Sequence, residues 1–331
     1  MYESLETSTV LVTGAAGFIG SHLVESLLEH GAHRVIALDN LRAGTWQNLD
    51  VAAERFASRL ERVTLDFAQC SEETLATRLQ GVTYLYHLAA EKHRAALTQA
   101  AEQVLAVNVT GTARLFQLAV EAGVHKTVFT SSLYSYGQMH PPAMQEQQLP
   151  TPCTIYGLSK LSGEHLLHWA TTLCSESSLS KLQSMRATVL RLFFVYGPRQ
   201  FAGTGYRSVI LTHFERIRTG KAPIIFGDGQ QALDYIYIDD VVRALLLCLA
   251  PRADGKTINI GSGTATTVAD LTQHILTVTG SSLQPEFAPA DWTAGTWRVS
   301  NSEKARILLN WVPQISLDEG LQRVAQWHNA P

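Results

Sequence analysis

Apolar residues in this chain come in short dense runs, set between longer stretches in which they recur every three or four positions. The first run, Thr9–Thr13 (TVLVT), is β-branched and apolar and predicts a buried strand. A glycine-rich turn follows, after which Leu23, Leu27 and Leu28 share one face of a predicted helix. Further strands are predicted at Arg34–Leu38, Arg62–Leu65, Thr83–His87, Thr127–Thr130 and Thr188–Leu192, with helical stretches between them. That alternation implies right-handed crossovers and an α/β fold built on a doubly wound parallel sheet of the Rossmann type. Such sheets bind ligands beyond the carboxyl ends of their strands, where Asp66, His87 to Ala90 and Ser131-Ser132 all fall. The polar, serine-rich stretch Ser175–Ser184 is expected to be a surface loop.

After Tyr196-Gly197-Pro198 the segments shorten, turn residues become frequent, and aromatic residues such as Tyr235, Tyr237, Trp292, Trp297 and Trp311 stand between them. The expected division is a nucleotide-binding domain over 1–190, rejoined by 235–262, and a smaller α/β substrate lobe over 191–331. A net charge of −3 without a basic stripe argues against a nucleic-acid partner. The longest apolar candidate, Val241–Ala250, is too short for a membrane span and contains Arg243. Glu3 and Glu6 precede the first strand, unlike a secretory leader, and a cytoplasmic enzyme is the simplest expectation. The four cysteines lack CxxC spacing, so neither a zinc site nor a disulfide framework is expected; Cys153, three residues before Tyr156, is the one that could face a substrate. His165 and His168 lack a carboxylate at ligand spacing, and no metal site is expected.

Chemistry enters at two places. Gly14, Gly17 and Gly20, in the run Gly14-Ala15-Ala16-Gly17-Phe18-Ile19-Gly20, let the backbone approach a pyrophosphate seated on the following helix N-terminus. The second strand ends at Asp39, 19 residues after the last glycine, where a carboxylate accepts hydrogen bonds from the adenosine ribose and repels a 2′-phosphate. NAD is therefore favoured over NADP, with Arg42 nearby opposing that choice slightly. The second place is Tyr156 and Lys160, one helical turn apart, with Ser132 lying 24 residues before the tyrosine. An ammonium beside a phenol favours the phenolate, and a serine hydroxyl can hold the oxygen whose proton moves, so the three form a proton-transfer unit for an alcohol or ketone. A YxxxK spacing alone is common on helices; a dinucleotide site in the same chain is what gives it meaning.

Together these residues resemble the extended short-chain dehydrogenase/reductase family, most closely its nucleotide-sugar 4-epimerase branch. The likeness runs nearly end to end: the glycine motif, Asp39-Asn40-Leu41, Asp66-Phe67, His87-Leu88-Ala89-Ala90, Asn108 to Thr112, Ser131-Ser132 with Tyr136-Gly137, Tyr156 and Lys160, Val195 to Gln200, and Gly227-Asp228-Gly229 before Asp239-Asp240. The resemblance implies a catalytic trio of Ser132, Tyr156 and Lys160, with the serine four residues before Tyr136. It implies NAD contacts from Phe18, Ile19, Asn40, Leu88, Ala89, Ala90, Lys92 and Asn108, adenine held by Asp66 and Phe67, and a second role for Lys160 at the nicotinamide ribose. The implied reaction is epimerisation through a 4-keto sugar, and the implied assembly is a homodimer paired through the helix ending near Ala122 and the helix carrying Tyr156; Leu115, Leu118, Leu166 and Leu167 fit either that interface or the ordinary core.

One place separates the chain from a rival chemistry, and two depart from the branch. Sugar 4,6-dehydratases have Asp-Glu after the catalytic hydroxyl residue, where this chain has Leu133 and Tyr134, so that reaction is disfavoured and Tyr134 joins the substrate-facing residues. Phe194 stands where an asparagine usually holds the sugar-nucleotide phosphates, and Leu233 where an arginine pairs with the pyrophosphate. An uncompensated charge-assisted contact is worth about 1.5–3 kcal/mol. Either the pyrophosphate is held differently, with Arg199, Arg207 and Arg298 as the available cations, or the substrate lacks one. An NAD-dependent dehydrogenase or reductase of another alcohol or ketone is the alternative, and a non-catalytic dinucleotide sensor is disfavoured by the complete trio.

Overall fold

The computed structural model describes residues 5–91, 98–176, 185–200, 208–291 and 293–328. The predicted strands form β1 (Thr9–Thr13), β2 (Arg34–Asp39), β3 (Leu60–Thr64), β4 (Tyr84–His87), β5 (Lys126–Ser132) and β6 (Arg186–Leu192). Between them run α1 (Phe18–Glu29), α2 (Asp50–Arg55), α3 (Glu72–Leu79), α4 (Thr98–Leu105), α5 (Thr112–Glu121) and α6 (Ile155–Glu176). A π-helical turn, Ala106–Gly111, leads into α5, and a 3-10 turn, Leu133–Tyr136, follows β5. The remaining elements are β7 (Phe194–Tyr196), α7 (Val209–Arg218), β8 (Ile224–Phe226), β9 (Ala232–Leu233), β10 (Tyr235–Tyr237), α8 (Ile238–Leu247), β11 (Lys256–Ile260), β12 (Thr266–Thr267), α9 (Val268–Thr279), β13 (Glu286–Ala288), β14 (Trp297–Arg298), α10 (Glu303–Leu309) and α11 (Leu317–His328).

Seven strands line up in the order β11-β6-β5-β4-β1-β2-β3, and every neighbouring pair is parallel. The pleat sorts their side chains into two cores. Val10 and Val12 of β1, Val35 and Ala37 of β2, and Tyr84 and Tyr86 of β4 join α1 and α8 on one face. Leu11, Ile36, Leu38 and Leu85 point the other way, onto α3, α5 and α6. Burial on both faces explains why these strands read as continuous apolar runs. A late segment reaches the sheet as well: β11 pairs with β6. The small pairings β10-β7, β12-β9-β14 and β13-β8 lie outside the main sheet.

One expectation changes. α6 continues to Glu176, so Ser175 and Glu176 are helical rather than loop, and 177–184 lie outside the described residues. Of the two places open to Leu115, Leu118 and Leu167, interface or core, they occupy the core beneath the sheet, because α5 and α6 pack on it with those positions inward; among the described side chains of α6 the exposed large apolar residues are Leu158 and Trp169. Among the described residues no helix is long and apolar enough to cross a membrane.

His87 ends β4 wholly buried among Phe67, Phe116 and Phe129, its ring nitrogens on Thr13 Oγ1 (2.7 Å) and Thr112 Oγ1 (3.0 Å). Burial, with Lys160 adding to it, lowers its pKa to about 3. A neutral buried histidine stabilises the fold fully above the unfolded value near 6.5, and that contribution falls as pH drops from there towards 3. Stability should decline in this window by up to about 1.4 kcal/mol per pH unit from His87 alone. Urea unfolding at pH 7 and pH 5 measures it, and His87→Gln should shrink the difference between the two; an unchanged difference would contradict the assignment.

Candidate active site

β5 delivers Ser132 to the carboxyl end of the sheet, and the chain turns at once into Leu133–Tyr136. Ser132 is buried, and its Oγ caps that turn by accepting from Tyr134 N (3.3 Å). α6 lies across the same strand end. It can approach closely because Gly157 and Gly163 face inward: a Cβ on Gly157 would stand 2.2 Å from the Tyr134 carbonyl oxygen, and one on Gly163 2.5 Å from the Phe129 ring. The Lys160 ammonium, buried, donates to the Thr130 carbonyl (2.8 Å) and stands 5.9 Å from the Tyr156 ring centroid. Tyr156 is half-buried and meets Tyr134 edge-on at 6.1 Å. Burial, then Tyr134, pushes the Tyr156 hydroxyl well above the ordinary tyrosine range, so these surroundings keep the proton on the phenol until a further positive charge favours its loss.

The β1–α1 turn forms a second feature at the same end. Gly14 has φ +72°, and a Cβ there would meet the Ala89 amide nitrogen at 2.9 Å; one on Gly20 would sit 2.1 Å from the Gly14 carbonyl oxygen. Gly17 is the N-cap of α1 and offers no side-chain cap, so the first-turn amides of Phe18, Ile19 and Gly20 have no intrahelical acceptor and suit an anion. Asp39 Oδ2 accepts from Ala16 N (3.0 Å) and Oδ1 from Leu41 N (2.8 Å), while burial raises its pKa against those amides. A carboxylate has about four acceptor positions, so capacity remains for ribose hydroxyls. Arg42 is turned to Glu91 (3.5 Å), which removes much of its opposition to NAD.

The profile of the NAD dependent epimerase/dehydratase family matches residues 10–261, a span holding the glycine turn and the Ser132, Tyr156 and Lys160 group alike. The chain belongs to that family. It is 33% identical over 320 residues to a UDP-glucose 4-epimerase of Mycolicibacterium smegmatis, covering 96% of this chain and 97% of the relative. A solved UDP-glucose 4-epimerase of Thermotoga maritima with UDP-glucose matches at TM-score 0.85 and 33% identity, covering 97% of this chain and 98% of the other. A UDP-glucuronic acid 4-epimerase of Bacillus cereus, solved with UDP-glucuronic acid and NAD, matches at TM-score 0.84 and 29% identity, covering 96% and 98%. This member of the epimerase/dehydratase family is an enzyme of the extended short-chain dehydrogenase/reductase type, and its cofactor is NAD.

The other residues named from the resemblance lie as follows in this family member. Leu88, Ala89 and Ala90 follow β4 beside the glycine turn, with Ala89 N donating to Thr13 Oγ1 (3.3 Å). Asn108, in the π-helical turn, has its amide committed to Glu91 N (2.7 Å), Glu91 O (3.0 Å) and Ser159 Oγ (3.0 Å), so it braces the loop after β4. Asp66 accepts from Asn40 Nδ2 (3.1 Å) and Ala68 N (3.0 Å), but the Phe67 side chain is buried in the core, leaving its backbone to border the site. Arg199 forms a two-pronged ion pair with Glu25 of α1 (2.8 and 3.0 Å), which offsets its charge. Lys92 and Arg207 lie outside the described residues.

Arg298 gains most from the tertiary structure. In the parallel β14-β9 ladder it is the register partner of Leu233, so its charge stands one strand away from the place the resemblance gives to an arginine. Its guanidinium lies 5.5 Å from the Tyr134 ring centroid and hydrogen-bonds the Tyr134 hydroxyl, whose pKa burial raises and Arg298 opposes. Phe194 closes the row against Tyr134 (6.5 Å) and Tyr235 (6.0 Å). Cys153 is exposed near Tyr134, and among the described residues no group of three or more His, Cys, Asp or Glu could hold a metal ion. Missed in the sequence were Glu164 and Arg191, a buried ion pair of 2.7 Å between α6 and β6; the available signal was a lone arginine inside an apolar strand.

Proposed function

We propose that this enzyme epimerises a nucleotide-activated sugar at C4, with Ser132, Tyr156 and Lys160 as the catalytic group and 191–331, apart from 235–262, as the substrate lobe. The observation that carries the reading is the convergence of that trio and the glycine turn on one end of one sheet. Relatives named for action on UDP-sugars support it. NAD supplies a reversible hydride acceptor at the sugar carbon. The Tyr156 phenolate takes the C4 hydroxyl proton as the C4 hydride leaves, and Ser132 donates a hydrogen bond to the oxygen as it becomes a carbonyl. Lys160 favours the phenolate by its charge. Once the 4-keto sugar presents its opposite face, Tyr156 gives the proton back to the C4 oxygen; bound NAD would serve as acceptor and then donor of the same hydride, so the reaction would carry no net redox change.

The test is an NMR panel of UDP-, dTDP-, GDP- and CDP-sugars with purified enzyme and no added cofactor. Interconversion of a C4 pair supports the proposal; no conversion across the panel sinks it. The second reading, an NAD-dependent dehydrogenase or reductase, is favoured by Phe194 and Leu233, and it requires stoichiometric change in reduced nicotinamide absorbance. On the epimerase reading, Arg298 replaces the missing charge at Leu233 and contacts the substrate's anionic part. Arg298→Met should then raise KM by about tenfold to a hundredfold, the equivalent of one charge-assisted hydrogen bond, with NAD content unchanged. Steady-state kinetics on the identified sugar decide it, and an unchanged KM rejects the role.

A further inference from the structure

The Glu164–Arg191 pair lies behind the catalytic group rather than in it. Glu164 follows Lys160 by one turn of α6, so both side chains reach the same strand end. Lys160 is fixed on the Thr130 carbonyl (2.8 Å), and Glu164 Oε1 accepts from the Ser131 hydroxyl. Arg191 is the register partner of Ser131 across the β5-β6 ladder. It grips Glu164 with two prongs, Nε to Oε1 at 2.9 Å and Nη2 to Oε2 at 2.7 Å. The far end of the turn beginning at Ser132 is held by the same group: Ser131 Oγ lies 3.1 Å from Ser135 Oγ, and the Arg191 guanidinium stands 4.6 Å from the Tyr136 ring centroid. Tyr136 in turn donates to Asn259 Oδ1 of β11 (2.8 Å).

Both charged side chains are almost fully buried, at 5% and 8% exposure. Desolvation of two charges largely offsets their attraction, so an apolar pair of similar size would serve stability as well. What the fork adds is a single geometry, because two parallel hydrogen bonds define distance and angle together. We propose that Glu164 and Arg191 are positioning residues for proton transfer, setting the spacing between α6, with Tyr156 and Lys160, and the strand end carrying Ser132. The inference rests on the catalytic role proposed for those three residues.

The test uses the NAD-loaded enzyme and the double variant Glu164→Leu/Arg191→Met, which removes both charges and leaves neither unpaired. It should keep the melting temperature within a few degrees of the parent, retain NAD and change KM less than threefold, while kcat falls about tenfold to a hundredfold, the scale of a misplacement near 1 Å. Ser131→Ala, which removes only the hydroxyl joining Glu164 to β5, should lower kcat about threefold to tenfold at constant KM. If the double variant does not fold, Ser131→Ala decides alone. Parental kcat in the folded double variant, or in Ser131→Ala, overturns the proposal. Tyr156→Phe run alongside separates the failures: an active Tyr156→Phe enzyme refutes the catalytic reading, whereas an inactive one beside a fully active double variant refutes positioning only.

Discussion

Replacing Tyr156 with phenylalanine is expected to lower kcat by about 10²–10⁴-fold while NAD content and thermal stability stay at parental values. The ring survives the change and keeps its edge-on contact with Tyr134, so packing is preserved and the proton carrier is the only group removed. Burial, and then Tyr134, hold the Tyr156 hydroxyl above the ordinary tyrosine range. The phenolate is the form required, so activity should rise with pH through its titration. Single-turnover and pH-rate measurements give both results. A Tyr156→Phe enzyme with more than a tenth of parental kcat would remove the phenol from the mechanism.

Gly20→Ala should abolish NAD retention, weakening the cofactor by about a hundredfold or more and lowering the melting temperature. The added carbon would stand 2.1 Å from the Gly14 carbonyl oxygen and 2.8 Å from Ala15 Cα, and both are backbone atoms that cannot rotate aside. α1 must therefore move away from the turn after β1, taking the first-turn amides of Phe18 and Ile19 with it. Displacement of about 1 Å in a positioning element is enough for an effect of this size. Gly81→Ala is the control: Gly81 also has positive φ, +71°, but a Cβ there meets nothing within 4 Å. It should lose a little stability and no NAD. Cofactor content by absorbance and mass spectrometry distinguishes the two variants, and a Gly20→Ala protein purified with full NAD content would disprove the close-approach argument.

Much of the architecture was legible because a strand buried on both faces must be apolar throughout, and a helix packed on one face must repeat near 3.6 residues. β1 was read with its observed limits and β2 to β6 within a few residues, whereas β11 was anticipated only as part of a segment, 235–262, that rejoins the first domain. The glycine turn and Asp39 were equally readable, since close backbone approach and the carboxylate at the end of β2 are local properties. Ser175 and Glu176 misled because serine-rich composition does not end a helix that the sheet already supports. What the motifs around Phe67 and Asn108 did not show is their packing: the Phe67 ring completes the core, and the Asn108 amide braces Glu91.

The sequence by itself determined the doubly wound sheet, the family and the cofactor, since each depends on periodicity or on motifs whose atoms lie within one turn and its neighbours. Tertiary structure decided where the candidate cations stand. Arg199 is paired with Glu25, 174 positions away, while Arg298 stands beside Leu233 only because β14 and β9 run in parallel. It also decided the pairing behind the helix that carries Tyr156 and Lys160: Glu164 and Arg191 meet where α6 crosses β6, and no local pattern encodes a pairing between side chains brought together by crossover connections.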